Sequence, residues 1–405
     1  MGTSYSAAST EVGGADDKAP IAAQPLMQPP RAPDAAYVHV PFCRHRCGYC
    51  NFTLIARRDD LIDAYLEALE AELSRLASPR PVSTIFIGGG TPSHLPPPQL
   101  ERLLTLVLRW FPPRIGYEFS IEANPLDIDS PRLAVLAAAG VTRLSLGAQS
   151  FNSAKLQLLE RDHTGDDVRR AVDLVRAAAL DVSLDLIFGA PGETLEAWHH
   201  DLDEALRLQP QHVSLYGLTF ERGTTFWSRL QRGDLQGVGE EAERALYLAA
   251  IDRLTSAGFE QYEVSNFARP GFRCRHNETY WAARGYYAAG PGAARYVDGV
   301  RETNHRSTTT WLARVRDGQS PVADNERLAA EDRAREALVL GLRRMQGIDL
   351  KSFAEEFGFD AESLEPREWR RLIDSGLLEI ADGRLRLTRE GLLLSDYVWS
   401  RFLRR

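Results

Sequence analysis

Apolar residues recur with two different periods between residues 35 and 217 of the chain. Short apolar runs predict β-strands, and the first two runs end at Pro41 and at Gly88-Gly89-Gly90. The longer segments between them carry apolar side chains three and four residues apart, which predicts amphipathic helices. The predicted strands are 37–40, 84–87, 117–121, 144–146, 182–188 and 213–216, and the predicted helices are 61–76, 100–108, 131–139, 166–178 and 195–208.

Six strands separated by helices predict an α/β fold with a parallel sheet. Each helical segment is long enough to connect two parallel strands as a crossover. A partial (β/α)6 barrel fits this pattern best. A doubly wound open sheet is the alternative with the same element order.

The pattern loosens after about residue 238. A helix, a short strand at 262–264 and a loop region rich in glycine and tyrosine are predicted there. Beyond it the pattern predicts helices at 329–344, 369–374 and 389–403, and a hairpin that turns at Asp382-Gly383. The predicted domains are a disordered tail at 1–34, a barrel core at 35–237, an extension at 238–325, and a helical, winged-helix-like C-terminal domain at 326–405.

Composition and charge narrow the class of protein. The formal net charge of -8 argues against broad nucleic-acid binding, which needs a basic face. The sequence has no apolar run long enough to cross a membrane and no secretory signal, and its acidic start is unlike a mitochondrial presequence. We therefore expect a cytoplasmic protein. Four cysteines in such a chain indicate metal or redox chemistry rather than a disulfide framework.

Three of the cysteines, Cys43, Cys47 and Cys50, follow the first predicted strand in a C-x3-C-x2-C spacing. Iron–sulfur clusters are held by thiolates, normally four for a [4Fe–4S] cluster, so three ligands leave one iron open to a small molecule. A zinc site of three cysteines with His45 or His39 is one alternative, and three unrelated buried thiols are another. Structural zinc usually takes a second cysteine pair downstream, which this chain lacks.

The cysteine loop, together with the preceding YVHVPF segment, resembles the radical SAM superfamily. More narrowly, it is similar to the branch that contains oxygen-independent coproporphyrinogen III dehydrogenases and the haem chaperones (HemW). The resemblance covers about residue 35 to the end, including the C-terminal domain. It implies a [4Fe–4S] cluster on Cys43, Cys47 and Cys50, with S-adenosylmethionine held on the open iron. The reduced cluster would pass one electron to the sulfonium of S-adenosylmethionine and release methionine and a 5′-deoxyadenosyl radical.

Polar residues at or near the ends of the predicted strands would complete this site, since a barrel collects its chemistry at the carboxyl ends of its strands. Glycine allows a ligand to approach the backbone closely, and its N–H groups can receive a carboxylate. Taken singly, each residue fits a structural role as well. The resemblance assigns the set to S-adenosylmethionine: Tyr37, Gly89, Gly90, Thr91, Glu122, Gln149, Arg161 and Asp185. Thr219 is a weaker candidate because its surrounding motif has drifted.

The segment HNETYW at residues 276–281 resembles the HNxxYW signature of the haem chaperones. The resemblance implies that His276 is an axial haem ligand, with Asn277, Tyr280 and Trp281 beside the macrocycle. Cys274 is either an alternative ligand or a bystander thiol. Replacing His276 with alanine is then expected to lower haem binding and to leave the cluster intact.

The residue at position 52 helps to distinguish the two functions of this branch, coproporphyrinogen III dehydrogenase and haem chaperone. The dehydrogenases carry a further cysteine two residues after the last cluster ligand, where this chain has Phe52, and they have an ordered N-terminal extension that the tail here does not resemble. The sequence therefore favours a haem chaperone that passes haem to an acceptor protein and receives electrons from a donor. Whether it catalyses a radical reaction stays open. Ala294 stands where the family's GxGAH pattern has histidine. A DNA-reading role for the C-terminal domain is disfavoured by Asp374, Glu379 and Asp382.

Overall fold

A computed structural model describes residues 32–404, so nearly all of the predicted tail, and residue 405, lie outside the described residues. The first half of the described chain alternates strands and helices, as the sequence predicts. The strands are β1 (Ala35–Val40), β2 (Phe42–Cys43), β3 (Ile55–Ala56), β4 (Val82–Gly89), β5 (Pro113–Ala123), β6 (Arg143–Gln149), β7 (Asp181–Phe188) and β8 (His212–Gly217). The helices are α1 (Ile62–Ser74), α2 (Pro97–Trp110), α3 (Ser130–Ala138), α4 (Ser153–Leu158), α5 (Gly165–Ala177) and α6 (Leu195–Arg207).

Six of these strands form the centre of one nine-stranded sheet. β1, β4, β5, β6, β7 and β8 lie side by side in chain order, and each pairs parallel with the next. Side chains from all six strands line one common cavity, so the sheet curves into a partial barrel. The predicted α/β fold is confirmed.

Alternation along the central strands separates two environments. In β7, for example, Val182, Leu184 and Leu186 belong to the main hydrophobic core, whereas Ser183 and Asp185 line the inner cavity. Successive side chains of a strand point to opposite faces, so every central strand contributes to both environments. The apolar residues between the sheet and its helices therefore hold the barrel together, and the polar residues face inward.

The next part of the chain closes the two edges of the sheet. Its elements are α7 (Thr225–Gln231), α8 (Glu240–Ser256), β9 (Glu260–Gln261), β10 (Asn266–Ala268), α9 (Arg275–Trp281), β11 (Tyr287–Ala289), β12 (Ala294–Val297), β13 (Val300–Asn304), α10 (Thr308–Arg316) and β14 (Val322–Glu326). β11 pairs with β1 at one edge and β10 with β8 at the other. The strand predicted at 262–264 is wrong: those residues form the turn between β9 and β10, where Tyr262 N–H bonds Asn266 O. The predicted loop region instead contains α9 and the antiparallel sheet β12-β13-β14.

The last part of the described chain has its own hydrophobic cluster, built around Leu338, Trp369 and Phe402. Its elements are α11 (Ala330–Leu342), β15 (Ile348–Asp349), α12 (Leu350–Phe357), α13 (Ala361–Leu364), α14 (Pro366–Asp374), β16 (Leu378–Ala381), β17 (Arg384–Leu387), α15 (Arg389–Leu393) and α16 (Ser395–Phe402). The predicted hairpin is present as β16–β17, and the single helix predicted at 389–403 is divided at Leu394. No helix among residues 32–404 is both long and apolar enough to cross a membrane.

Candidate functional site

The cysteine loop lies between β2 and β3, at the carboxyl end of β1. β2 and β3 pair in parallel and close the loop at its base. Cys43 and Cys47 are buried and Cys50 is partly exposed. Cys43 Sγ lies 3.3 Å from Thr91 Oγ1, which follows β4, so the loop packs on the neighbouring strand.

The three thiols lie within electrostatic reach of one another. Burial raises the pKa of the Cys43 thiol to about 12; the hydrogen bond with Thr91 opposes this shift, and the neighbouring Cys50 and Cys47 add to it. Burial also raises the pKa of Cys50. Arg161 Nη1 lies 3.7 Å from Cys47 Sγ. Burial therefore disfavours the thiolate forms of Cys43 and Cys50 in the protein without a metal. A bound metal cluster would supply the positive charge that stabilises these thiolates.

The Nε2 atoms of the two histidines in the zinc alternative are both occupied. The Nε2 of His45 lies 2.6 Å from the carbonyl of Glu160, and that of His39 lies 2.6 Å from the carbonyl of Thr53. A carbonyl only accepts, so each Nε2 carries the hydrogen and has no lone pair for a metal; the Nδ1 of His39 accepts from Tyr37, whereas the Nδ1 of His45 keeps its lone pair. In the part of the chain that the structure describes, no three His, Cys, Asp or Glu side chains, the three loop cysteines included, are grouped as ligands of a single metal ion, so this arrangement does not distinguish a zinc site from a cluster.

The triple glycine after β4 allows three close approaches. A Cβ on Gly88 would lie 2.8 Å from the Glu122 carboxyl carbon, one on Gly89 would overlap the His39 ring, and one on Gly90 would lie 2.7 Å from Phe42 O. The N–H of Gly89 donates to Glu122 Oε2 at 2.8 Å, and that of Gly90 donates to a backbone carbonyl of β1. The glycines therefore let the cysteine loop and the β5 carboxylate meet at β4.

Gly89→Ala is expected to destabilise the protein by roughly 3 kcal/mol, because a positive φ costs about 1 kcal/mol and a core overlap about 1–3 kcal/mol. Gly89 has φ +114° and no space for a methyl group. Gly116→Ala is the matched control, since Gly116 also has positive φ but an open surround, and should lose only about 1 kcal/mol. Denaturant unfolding measures the free energy of unfolding of both variants. Equal losses of stability would show that the overlap with the His39 ring does not contribute to the effect of Gly89→Ala.

Two partly buried carboxylates face the cavity from β5 and β7. Burial raises the pKa of Glu122 to about 7, while the Gly89 N–H opposes this shift and Asp185 adds to it. Burial raises the pKa of Asp185 to about 6, although it accepts a hydrogen bond from Ser145 Oγ at 3.0 Å. Two carboxyl groups that repel each other in a buried site create a place for a cationic group.

Tyr37 and His39 connect the cavity to the cysteine loop. Because His39 Nε2 donates to Thr53 O, its Nδ1 accepts from the Tyr37 hydroxyl at 3.0 Å. Burial lowers the pKa of His39 to about 4, so the ring is neutral at neutral pH. Tyr37 is thereby fixed in orientation above the inner face of β1.

Gln149 and Arg161 lie beside Gly147 at the carboxyl end of β6. Gln149 has φ +61°, and Arg161 Nη2 donates to Gly147 O at 3.0 Å. Ser150 Oγ and Phe151 N–H, directly after Gln149, both bond to the buried Asp201 carboxylate. The structure thus gathers the predicted contacts around one mouth of the barrel. Thr219 is exposed beyond β8 and adds no bond to this group.

The inner cavity has a volume of about 160 Å³ and runs from Glu122 and Asp185 down to Cys274. Six of the polar side chains that line it are not among the candidates named from the sequence: Arg143, Ser145, Ser183, His212, Ser214 and Tyr216. The signal that could have found them is the strict alternation of polar and apolar residues in segments such as RLSLGAQ and HVSLYG.

His276, on α9, lines the end of this cavity near Cys274 and is 1% exposed. Its Nδ1 is 3.0 Å from Thr84 Oγ1 and its Nε2 is 2.8 Å from the Tyr280 hydroxyl. Burial lowers its pKa to about 3. Both ring nitrogens therefore have partners, and a haem iron could reach His276 only if these bonds broke and α9 moved.

A buried carboxylate positions α9. Glu118 of β5 accepts the N–H groups of Arg275 and His276, at 3.0 and 3.1 Å, and receives the Arg143 guanidinium at 3.3 Å. A carboxylate stabilises the free N–H groups at a helix N-terminus. Cys274 Sγ lies 3.5 Å from the same carboxylate. The segment therefore closes the amino-terminal end of the barrel, far from the cysteine loop in the fold.

Trp281 joins α9 to the C-terminal part of the chain. The Arg343 guanidinium lies between two indoles, 4.2 Å from the Trp281 ring centre and 4.9 Å from that of Trp399. Arg343 also approaches the buried Glu263 carboxylate at 3.5 Å. Both indole N–H groups and Arg343 Nε are buried without a hydrogen-bond partner among the described residues. This Trp281–Arg343–Trp399 stack is packed, yet incompletely satisfied.

Asn277 lines the cavity beside His276. Ala294 is the first residue of β12. Two residues earlier, Gly292 packs so closely against Thr53 of the cysteine loop that a Cβ at this position would collide with the Thr53 side chain. Phe52 is 64% exposed at the tip of that loop. The position that the sequence uses to separate the dehydrogenases from the chaperones is thus on the surface, beside the three loop cysteines.

Comparison with known families matches two parts of the chain. Residues 37–205 match the Radical SAM superfamily, and residues 328–394 match the HemN C-terminal domain. The first match covers β1 to α6 and includes the cysteine loop. The second covers most of the C-terminal hydrophobic cluster.

Individual relatives extend over nearly the whole chain. It is 36% identical to the heme chaperone HemW of Bacillus subtilis, over 91% of this chain and 99% of that protein. It is 35% identical to the mitochondrial radical S-adenosyl methionine domain-containing protein 1 of Mus musculus, over 92% of this chain and 88% of that protein. Among solved structures, coproporphyrinogen III oxidase (HemN) from Escherichia coli superposes with a TM-score of 0.81 at 24% identity, covering 92% of this chain and 90% of that one, which shows a shared fold.

Proposed function

The chain belongs to the radical SAM superfamily and, within it, to the HemW family, and from this premise we propose that it is a haem chaperone. It would hold a [4Fe–4S] cluster and S-adenosylmethionine, bind haem and deliver it to an acceptor protein. A cytoplasmic location and the domain boundaries near 237 and 326 belong to the same proposal. Its main support is the identity with HemW proteins over almost the full length of both chains.

Cys43, Cys47 and Cys50 are the proposed cluster ligands. When bound, the cluster supplies one electron for cleavage of S-adenosylmethionine. Thr91 and Arg161 lie against two of the sulfurs and would stabilise their negative charge. Gly89, Gly90, Glu122, Gln149, Asp185 and Tyr37 surround the adjoining mouth and form the proposed S-adenosylmethionine site. The N–H groups of Gly89 and Gly90 already have partners, so these residues would act through close approach and through their carbonyl groups.

Binding of S-adenosylmethionine is expected to tighten as pH rises. The ligand carries positive charge, and Glu122, with a pKa of about 7, is mostly protonated at pH 6 and mostly ionised at pH 8. If the ionised form binds, the affinity should rise about tenfold across that range, in proportion to the ionised fraction. Equilibrium dialysis with the reconstituted protein measures this. Glu122→Gln should bind more weakly and with a much shallower pH profile, about twofold at most, which Asp185 with its pKa of about 6 would supply; a profile unchanged in that variant would contradict the role of Glu122.

Haem binding at His276 requires an opening that the described conformation lacks. The cavity of about 160 Å³ is smaller than the roughly 300–1,000 Å³ of pockets that hold drug-sized ligands, and a tetrapyrrole is larger than most of those. We infer that α9 moves outward to present His276, with Asn277, Tyr280 and Trp281 on the same helix. The incompletely satisfied Trp281–Arg343–Trp399 stack is the contact that such a movement would break first.

Phe52 is the observation that favours the chaperone over the dehydrogenase. The test is anaerobic reconstitution followed by two assays on one sample, haem titration and coproporphyrinogen turnover. We expect stoichiometric haem binding with no decarboxylation. Steady turnover would establish the dehydrogenase instead, and absence of both activities would contradict the assignment.

A further inference from the structure

The tip of the cysteine loop presents an exposed aromatic ring within a patch of unpaired positive charge. Phe52 is 64% exposed, and Arg46, Arg57 and Arg306 around its loop are exposed as well. Among residues 32–404, these three arginines make no ion pair with a carboxylate. Phe52 and the three arginines are called the Phe52 face below. Such a patch is unexpected on a chain with a net charge of -8.

The loop that carries Phe52 is held in place from three sides. Arg46 Nη2 donates to Leu54 O at 2.7 Å, and Arg306 Nη2 donates to Asn51 O at 2.7 Å. From below, His39 Nε2 donates to Thr53 O at 2.6 Å. These bonds fix the loop backbone on both sides of Phe52. The ring is therefore displayed by an ordered loop, and its exposure is not a consequence of missing local contacts.

The Phe52 face also lies on the accessible side of the proposed cluster. Cys50, two residues before Phe52, is partly exposed, whereas Cys43 and Cys47 are buried. Electron transfer requires close approach of two redox centres, and interfaces between redox proteins are small, often below about 1,200 Å². Aromatic and arginine side chains are enriched at the centres of such interfaces.

We propose that the Phe52 face is the docking surface for a small acidic protein that carries a one-electron redox centre and reduces the cluster. The inference rests on the proposed function, because it requires the cluster on Cys43, Cys47 and Cys50. One electron leaves the reduced carrier, which is oxidised by one unit, and enters the cluster, which is reduced by one unit; no bond forms or breaks. Charge complementarity selects an acidic partner. A haem would instead need a slot around its ring, and Phe52 stands out from the surface.

The test measures how fast reduced flavodoxin, used as the acidic carrier, bleaches the visible absorbance of the reconstituted cluster in a stopped-flow instrument. Phe52→Ser and Arg57→Gln are expected to slow this reduction about tenfold at low salt, since removal of a rim charge or an apolar anchor acts on encounter and complex lifetime. The Arg57 side chain is exposed and takes no part in holding the loop, and the slowing by Arg57→Gln should shrink as ionic strength rises and screens the charges.

Two surface variants elsewhere are the matched controls. Ile115→Ser removes a fully exposed apolar side chain, and Arg367→Gln removes an exposed arginine that also lacks an ion pair among the described residues. Both should keep the wild-type rate. All variants should retain full iron and sulfide content and the wild-type rate of reduction by dithionite, which needs no docking surface.

Each other outcome decides against the inference. Equal rates in all variants, or equal slowing in the controls, would place the docking surface elsewhere. A loss of haem affinity in Phe52→Ser at an unchanged flavodoxin rate would assign the Phe52 face to haem. A wild-type chain that takes up no cluster would overturn the proposed function itself, which the iron and sulfide analysis reports separately.

Discussion

Cys47→Ala is expected to abolish assembly of the iron–sulfur cluster, whereas Cys274→Ala is expected to leave it intact. Cys47 lies in the loop with Cys43 and Cys50, and its sulfur faces the Arg161 guanidinium. A cluster held by three protein thiolates has no spare ligand, so two remaining cysteines should not retain it. Iron and sulfide analysis after anaerobic reconstitution, together with the visible absorbance, measures the loss.

Cys274 is a suitable control because it is also a buried cysteine. Burial raises its pKa well above the ordinary thiol value, and its sulfur lies beside Glu118 at the opposite end of the barrel. Cys274→Ala removes one sulfur from a packed site and should cost only about 1 kcal/mol of stability. Full cluster content in Cys47→Ala, or equal loss in both variants, would contradict the assignment of the cysteine loop.

His276→Ala is expected to lower the free energy of unfolding by roughly 2–4 kcal/mol, whether or not His276 binds haem. The substitution removes a buried ring and leaves the hydroxyls of Thr84 and Tyr280 without their partner. A fall in haem affinity in this variant therefore does not by itself identify a ligand. The measurement needs a variant that is equally damaging and leaves the side chains of α9 in place.

His212→Ala provides that comparison. His212 is 2% exposed in the same barrel, with Nδ1 2.9 Å from Ser183 Oγ and Nε2 2.8 Å from the Tyr262 hydroxyl, a close counterpart of His276. We expect similar losses of stability in the two variants and loss of the axial-ligand signature in the haem spectrum for His276→Ala alone. Equal haem affinity and equal spectra in both would rule out His276 as the ligand.

The sequence was sufficient to predict the barrel because its strands and helices differ in period. Strands near Thr84 and Val182, and the helices between them, follow from local patterns that each element must satisfy by itself. The cysteine spacing is likewise local. The sequence also predicts that another group approaches the backbone closely at the glycines after β4. It does not predict that the approaching groups are the side chains of Glu122 and His39.

The features that escaped prediction depend on contacts between distant residues. The sequence predicts a loop region where the structure has α9. The N-terminus of this helix is stabilised by Glu118, more than 150 residues earlier in the chain, and local sequence patterns do not show such a contact. Residues 262–264 form a turn and not the expected strand. The Glu263 carboxylate accepts hydrogen bonds from the Ser265 N–H and from the Arg343 guanidinium, and these contacts stabilise the turn. Burial of His276 was hidden for the same reason: its bonding partner Thr84 comes from the second strand of the barrel.

The alternation along the central strands has a consequence for how this scaffold tolerates change. Outward residues such as Leu184 secure the fold, whereas inward residues such as Ser183 and Asp185 contribute to the cavity and little to the apolar core. In a saturation scan through β7, substitutions at outward positions should therefore impair folding, whereas substitutions at the inward positions between them should impair ligand binding. A lineage could replace the whole inner set, one strand at a time, and acquire a new ligand on an unchanged frame.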